Sequence, residues 1–121
     1  MADGDYVEYV HNLGYEVWPL VSDFGMKEEI DEGSILSSYE SRRTLITNIM
    51  NEIKLYGYDG INIDFEKIKA DYSGDYIQFI RELSVECRRA EVVLSVDNYP
   101  PYNFNRYYNR KAQGECVDYV V

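Results

Sequence analysis

Residues capable of chemistry concentrate in one short segment, Asp59-Gly60-Ile61-Asn62-Ile63-Asp64-Phe65-Glu66. Polar and apolar residues alternate there. This predicts a strand with Gly60, Asn62, Asp64 and Glu66 on one face and Ile61, Ile63 and Phe65 on the other. Two residues along a strand span about 6.6 Å, so the carboxyls of Asp64 and Glu66 feel each other. Like charge at that range pushes one pKa up and leaves an acid beside a base, the pairing that general acid–base chemistry requires. Asn62 carries the polar face inward to a position where a buried apolar residue is expected. Unpartnered polar burial costs about 1–3 kcal/mol per group, which argues for a site rather than a solvated loop.

The elements that must position these residues follow from apolar spacing. Tyr6, Val10 and Leu13 recur at helical steps and stop at Gly14, a natural C-cap. Val17 to Val21 reads as a strand, although Pro19 cannot donate to a ladder. After a loop through Gly25 and Gly33, Ser37 and Glu40 fit a capping box. The helix behind it turns Leu45, Ile49, Ile53 and Tyr56 inward and ends at Gly57. A second long helix spans about Gly74 to Arg89, with Tyr76, Phe79, Ile80, Leu83 and Cys87 inward. Val92 to Val96 is the next strand, Arg106 to Gln113 a short basic helix, and Val117 to Val121 a last strand. Alternating helices and apolar strands predict a parallel α/β sheet with right-handed crossovers.

Composition narrows the partners. With 12 Lys plus Arg against 22 Asp plus Glu, the net charge is −10, which disfavours nucleic acid and anionic membrane surfaces. No apolar run approaches the roughly 20 residues of a membrane span, and no charged-then-apolar leader opens the chain. The 121 residues amount to one domain at most. That is near half of the roughly 250 residues of a complete (β/α)₈ barrel. Thirteen tyrosines supply flat faces with a hydroxyl, suited to sugar stacking and to half-buried surfaces alike. The two cysteines, Cys87 and Cys116, are too far apart for a CxxC site; Cys87 reads as a small core residue, and a bridge between them depends on geometry.

The segment from Asp59 to Glu66 resembles the DxxDxDxE signature of family 18 glycoside hydrolases, the chitinase-like TIM barrels. Its DGxNxDFE form, with Asn62 in place of the middle Asp, is similar to the branch holding spore-cortex and cell-wall glycosidases. The resemblance extends over the chain as about strands three to six of a (β/α)₈ barrel, a partial catalytic domain over residues 1–121. It departs at Ser22-Asp23-Phe24-Gly25, which does not match the SxGG carried by many chitinases.

The resemblance implies substrate-assisted, retaining hydrolysis of a β-linked N-acetylglucosamine polysaccharide, chitin- or peptidoglycan-like, with no cofactor. Glu66 would be the general acid and base, Asp64 would orient the substrate acetamido group, and Asn62 would lie beneath Asp64 as its hydrogen-bond partner. Asp23, Asp97 and Tyr99 would bind substrate. Localisation would be extracellular, in the cell wall or in the spore envelope.

Two other readings stay open at this level. Asp23, Asp64 with Glu66, and Asp97 end three successive strands and could hold Mg²⁺. Tyr99, Tyr102 and Phe104 could instead serve a non-catalytic carbohydrate-binding barrel. His11 is expected to cap or solvate a helix end, and Trp18 to be core. An excised run of strands has two edges and an uncovered inner face carrying positions such as Leu94 and Val96 or their neighbours. The fragment is therefore expected to be inactive alone and to self-associate, as a dimer.

Overall fold

The computed structural model describes residues 4–23, 35–98 and 103–121, with the side chains of 103–105 excepted. The sequence-predicted loop through Gly25 and Gly33 lies outside them. Four parallel strands, β1 (Leu20–Ser22), β2 (Gly60–Asp64), β3 (Val93–Val96) and β4 (Tyr119–Val120), follow one another in space as in sequence. Helices α1 (Gly4–Asn12), α2 (Tyr39–Tyr56), α3 (Ser73–Arg89) and α4 (Arg110–Gly114) alternate with them. This is the expected α/β order, a consecutive part of a (β/α)₈ barrel.

The two long helices form for the reasons their spacing gives. Ser38 caps α2 by accepting the Ser41 N–H, one residue later than the capping box predicts, and Gly57 ends it at φ 70°. Ile46, Ile49 and Ile53 are its buried face, with Leu45 and Tyr56 at the margin. Tyr76, Phe79, Ile80, Leu83 and Cys87 of α3 are all buried. They pack, together with α2, on Ile61, Ile63, Leu94 and Val96 of the sheet. A half-buried pair, Arg42 Nε to Glu82 Oε2 at 2.7 Å, ties α2 to α3.

Other expectations need correction. In α1 it is Val7 that is buried, at 2% exposure, while Tyr6 and Leu13 are 54% and 56% exposed. A helix of nine residues buries one narrow stripe, and the stripe here runs through Val7 and Val10. Strand β1 begins at Leu20, not Val17, because Pro19 offers its carbonyl to Asn62 N–H but has no N–H to return. The basic helix is split: a 3₁₀ turn over Asn103–Tyr108, then α4, with Asn109 between them in the left-handed region at φ 46°. Asn109 tolerates that conformation and caps α4 by accepting the Ala112 N–H.

Register assigns the faces. Leu20 pairs with Asn62, Ser22 with Asp64, Asn62 with Ser95, and Ser95 with Tyr119, so these residues share the face that helices do not cover. Leu94 and Val96 lie on the opposite, fully covered face, so the inner-face expectation passes to their neighbours. Leu20, Tyr119 and Val121 are exposed apolar residues there, beside Trp18. Trp18 is not core. Its indole stacks on Tyr119 at 5.7 Å between ring centroids and lies over Gly60, where a Cβ would come within 2.8 Å of it.

Candidate active site

The polar face of β2 ends at the carboxyl end of the sheet, and three elements converge on it. Asn62 is held from both sides: Ser95 Oγ donates to its Oδ1 at 2.8 Å, and its Nδ2 donates to Asp97 Oδ2 at 2.8 Å. Its partners are therefore on and beyond β3, and the expected pairing with Asp64 is replaced by this chain. An amide has one accepting and one donating end, and both are used here. Asp97 is in turn fixed by its own N–H, which bonds to Ile63 O.

Asp64 is the last residue of β2, with Oδ1 buried and without a hydrogen-bond partner among the described residues. Burial pushes its carboxyl from 3.8 up to about 6; the charge of Glu66, a hydrogen bond with the Glu66 side chain, and the charges of Asp97 and Asp23 add to the rise. The two carboxyls predicted from sequence thus act on each other, and Asp64 is the one held above its ordinary value.

Glu66 lies just past the strand, where no ladder positions it. Asp23, beyond the end of β1 and 2% exposed, supplies the missing anchor. Its Oδ1 accepts the Glu66 N–H at 3.1 Å and its Oδ2 the Lys67 N–H at 2.7 Å. Asp23 thus meets the loop backbone. Two tyrosines clamp the next residue, Tyr108 Oη accepting the Ile68 N–H at 3.0 Å and Tyr107 Oη donating to Ile68 O at 2.8 Å. Burial pushes the Tyr108 phenol upward, the Ile68 N–H partly opposing it. Asn98, following Asp97, exchanges amide hydrogen bonds with the fully buried Gln113 at 2.8 and 3.2 Å, which joins the loop after β3 to α4.

Sequence reasoning missed Ser95, Tyr107, Tyr108 and Gln113. Only Ser95 left a signal: Val93, Ser95 and Asp97 repeat the alternation of Gly60, Asn62 and Asp64 one strand over. Tyr99 and Tyr102 lie outside the described residues, as does the side chain of Phe104. At the far end of the sheet, His11 does more than end its helix: its Nε2 is 2.7 Å from Asp59 Oδ2, which also accepts the Val17 N–H. Among the described residues no three His, Cys, Asp or Glu side chains are grouped to hold a metal ion. The reason is local, since Asp23 faces backbone N–H groups and Asp97 faces Asn62.

The profile of the Glycosyl hydrolases family 18 matches residues 31–121. The chain belongs to this family. No curated protein matches it. Among solved structures, it is similar to a Bacillus subtilis protein assigned as a sporulation-specific glycosylase, at TM-score 0.84 and 23% identity over 99% of this chain and 42% of that one. It is similar to a class V chitinase from Pseudomonas fluorescens at TM-score 0.85 and 22% identity, over 96% of this chain and 37% of that one. For the spore cortex-lytic enzyme of Bacillus megaterium the TM-score is 0.82 and the identity 18%, over 96% of this chain and 29% of that one. The family 18 chain thus spans well under half the length of these relatives.

Proposed function

We propose that this family 18 segment carries the acid–base centre of a glycosidase acting on β-linked N-acetylglucosamine polysaccharide of the chitin or peptidoglycan kind. The observation that carries the reading is the carboxyl pair at the end of β2: Asp64, pushed up to about 6 by burial and the charge of Glu66, beside Glu66, whose backbone is pinned by Asp23. Neighbours that are a chitinase and a spore cortex-lytic enzyme support the substrate class and a place of action at the cell wall or spore envelope.

The steps follow from the two carboxyls. The substrate acetamido oxygen attacks the anomeric carbon as the glycosidic C–O bond breaks, and the Glu66 proton passes to the leaving oxygen. Asp64, as carboxylate, accepts the acetamido N–H and offsets the positive charge of the cyclic intermediate. For Asp64 to accept, its proton must be elsewhere, and Glu66 is the group that needs it. Water then adds to the anomeric carbon and gives its proton to Glu66, so configuration is retained. Asn62, held by Ser95 and Asp97, forms the floor beneath Asp64. Asp97 and Tyr99 are proposed substrate contacts, whereas Asp23 acts through Glu66 as a positioning residue.

Turnover of a chito-oligosaccharide by a complete barrel containing this segment tests the reading. Glu66→Gln is expected to cost about 10²–10⁴-fold in kcat while binding stays near wild type. Residual activity above a tenth overturns the assignment. The chain alone is expected to show no turnover.

A further inference from the structure

At the amino-terminal end of the sheet, opposite the carboxylates, lies a cavity of about 250 Å³. Cys87, Arg88, Glu91, Cys116 and Asp118 are among its lining residues. Both cysteines of the chain therefore open onto the same space, from elements far apart in sequence. The backbone explains the approach. Cys87 O accepts the Val92 N–H at 2.8 Å where the chain turns from α3 into β3. The β3–β4 register pairs Ser95 with Tyr119, and Asp118 bonds to Leu94 through both its N–H and its Oδ2. Cys116 closes the turn after α4, its N–H bonding to Gln113 O at 2.9 Å, two residues before Asp118 joins β3. Both cysteines thus line one space, and both are free thiols in this structure.

We propose that Cys87 and Cys116 form a reversible intramolecular disulfide across this cavity, with a low-molecular-weight disulfide such as oxidised glutathione as oxidant. Cys116 is half-buried and Cys87 buried, which orders the steps. The Cys116 thiolate attacks one sulfur of the oxidant; that S–S bond breaks, and one small thiolate leaves and takes up a proton. Cys87 then loses its proton to solvent and attacks Cys116 Sγ, expelling the second small thiolate. Two protein thiols are oxidised and one small disulfide becomes two thiols. Burial, with the charges of Asp118 and Glu86, pushes the Cys87 thiol up to about 12. The second step is therefore the slow one, and its rate rises about tenfold per pH unit below that value. The cavity that both residues line leaves room for the rotation that a disulfide dihedral needs. Once formed, the bond ties the end of α3 to the entry of β4, an edge strand of two residues.

The test is incubation of the whole chain with oxidised glutathione at pH 8, followed by tryptic mapping without reduction. A cross-linked species joining the peptides Glu82–Arg88 and Ala112–Val121 is expected, with loss of both free thiols and reversal by dithiothreitol. The oxidised chain is expected to melt several degrees above the reduced one. In Cys87→Ala the reaction should stop at glutathione on Cys116; in Cys116→Ser it should not begin. Stable glutathionylation of Cys116 in the wild type, disulfide-linked pairs of chains, or two thiols that survive oxidation would each overturn the proposal.

Discussion

Asp23 accepts the backbone N–H of Glu66 at 3.1 Å while its other oxygen takes that of Lys67 at 2.7 Å. One buried carboxylate just past the first strand thereby sets the position of the proposed acid just past the second. A strand end alone would not do so, since the ladder stops at Asp64.

Replacing Asp23 with Asn leaves one accepting oxygen for two donors, so one N–H loses its partner, at about 1–3 kcal/mol. The amide protons of Glu66 or Lys67 are expected to exchange with solvent faster by roughly tenfold or more. In a complete barrel kcat should fall with KM little changed, if Asp23 acts as proposed on Glu66 and not on the sugar. Unaltered exchange at both amides would show that the loop is positioned by other means.

Asp64 gives stability a definite pH dependence. Its folded pKa of about 6 lies above the ordinary 3.8, so the folded chain binds more protons than the unfolded one between these values. Stability from this group is full below about pH 4 and is lost as pH rises through about 6, with a slope of at most about 1.4 kcal/mol per pH unit. Urea unfolding from pH 4 to 7 should show this fall in the wild type and not in Asp64→Asn. Equal slopes in both proteins would contradict the shift.

Gly60 and Trp18 can be read optically, since Trp18 is the single tryptophan. In Gly60→Ala the new Cβ would meet the indole at 2.8–3.0 Å, at atoms near the root of the side chain. The ring must move off Tyr119, so a changed emission maximum and a loss of about 1–3 kcal/mol are expected. Unchanged emission with unchanged stability would mean that the ring does not rest there.

The uncovered face of the sheet, with Leu20, Tyr119 and Val121 exposed, is proposed to drive self-association of the chain. Equilibrium sedimentation at about 100 μM should give a mass above 14.2 kDa that Leu20→Asp returns toward the monomer value. Screening at about 0.15 M salt limits the opposition from the −10 charge. A wild-type monomer at that concentration would sink the idea.

Much of this architecture was legible in the sequence. The alternation in Gly60 to Glu66 determined which side of β2 would be polar, and the spacing of Ile49, Ile53, Phe79, Ile80 and Leu83 determined which sides of two helices would be buried. These are local periodicities, set by backbone geometry, and need no knowledge of what lies opposite. Tertiary structure alone decided the partners. Asn62 bonds to Ser95 and Asp97, and Asp23 reaches the backbone of Glu66, because parallel strands bring residues 33 to 43 positions apart side by side at a register that no local pattern encodes. Only the assembled sheet put Trp18 over a glycine and turned Val7, rather than Tyr6 and Leu13, into the core. A side chain's periodicity names the face it occupies; what waits on that face is chosen by packing across the whole chain.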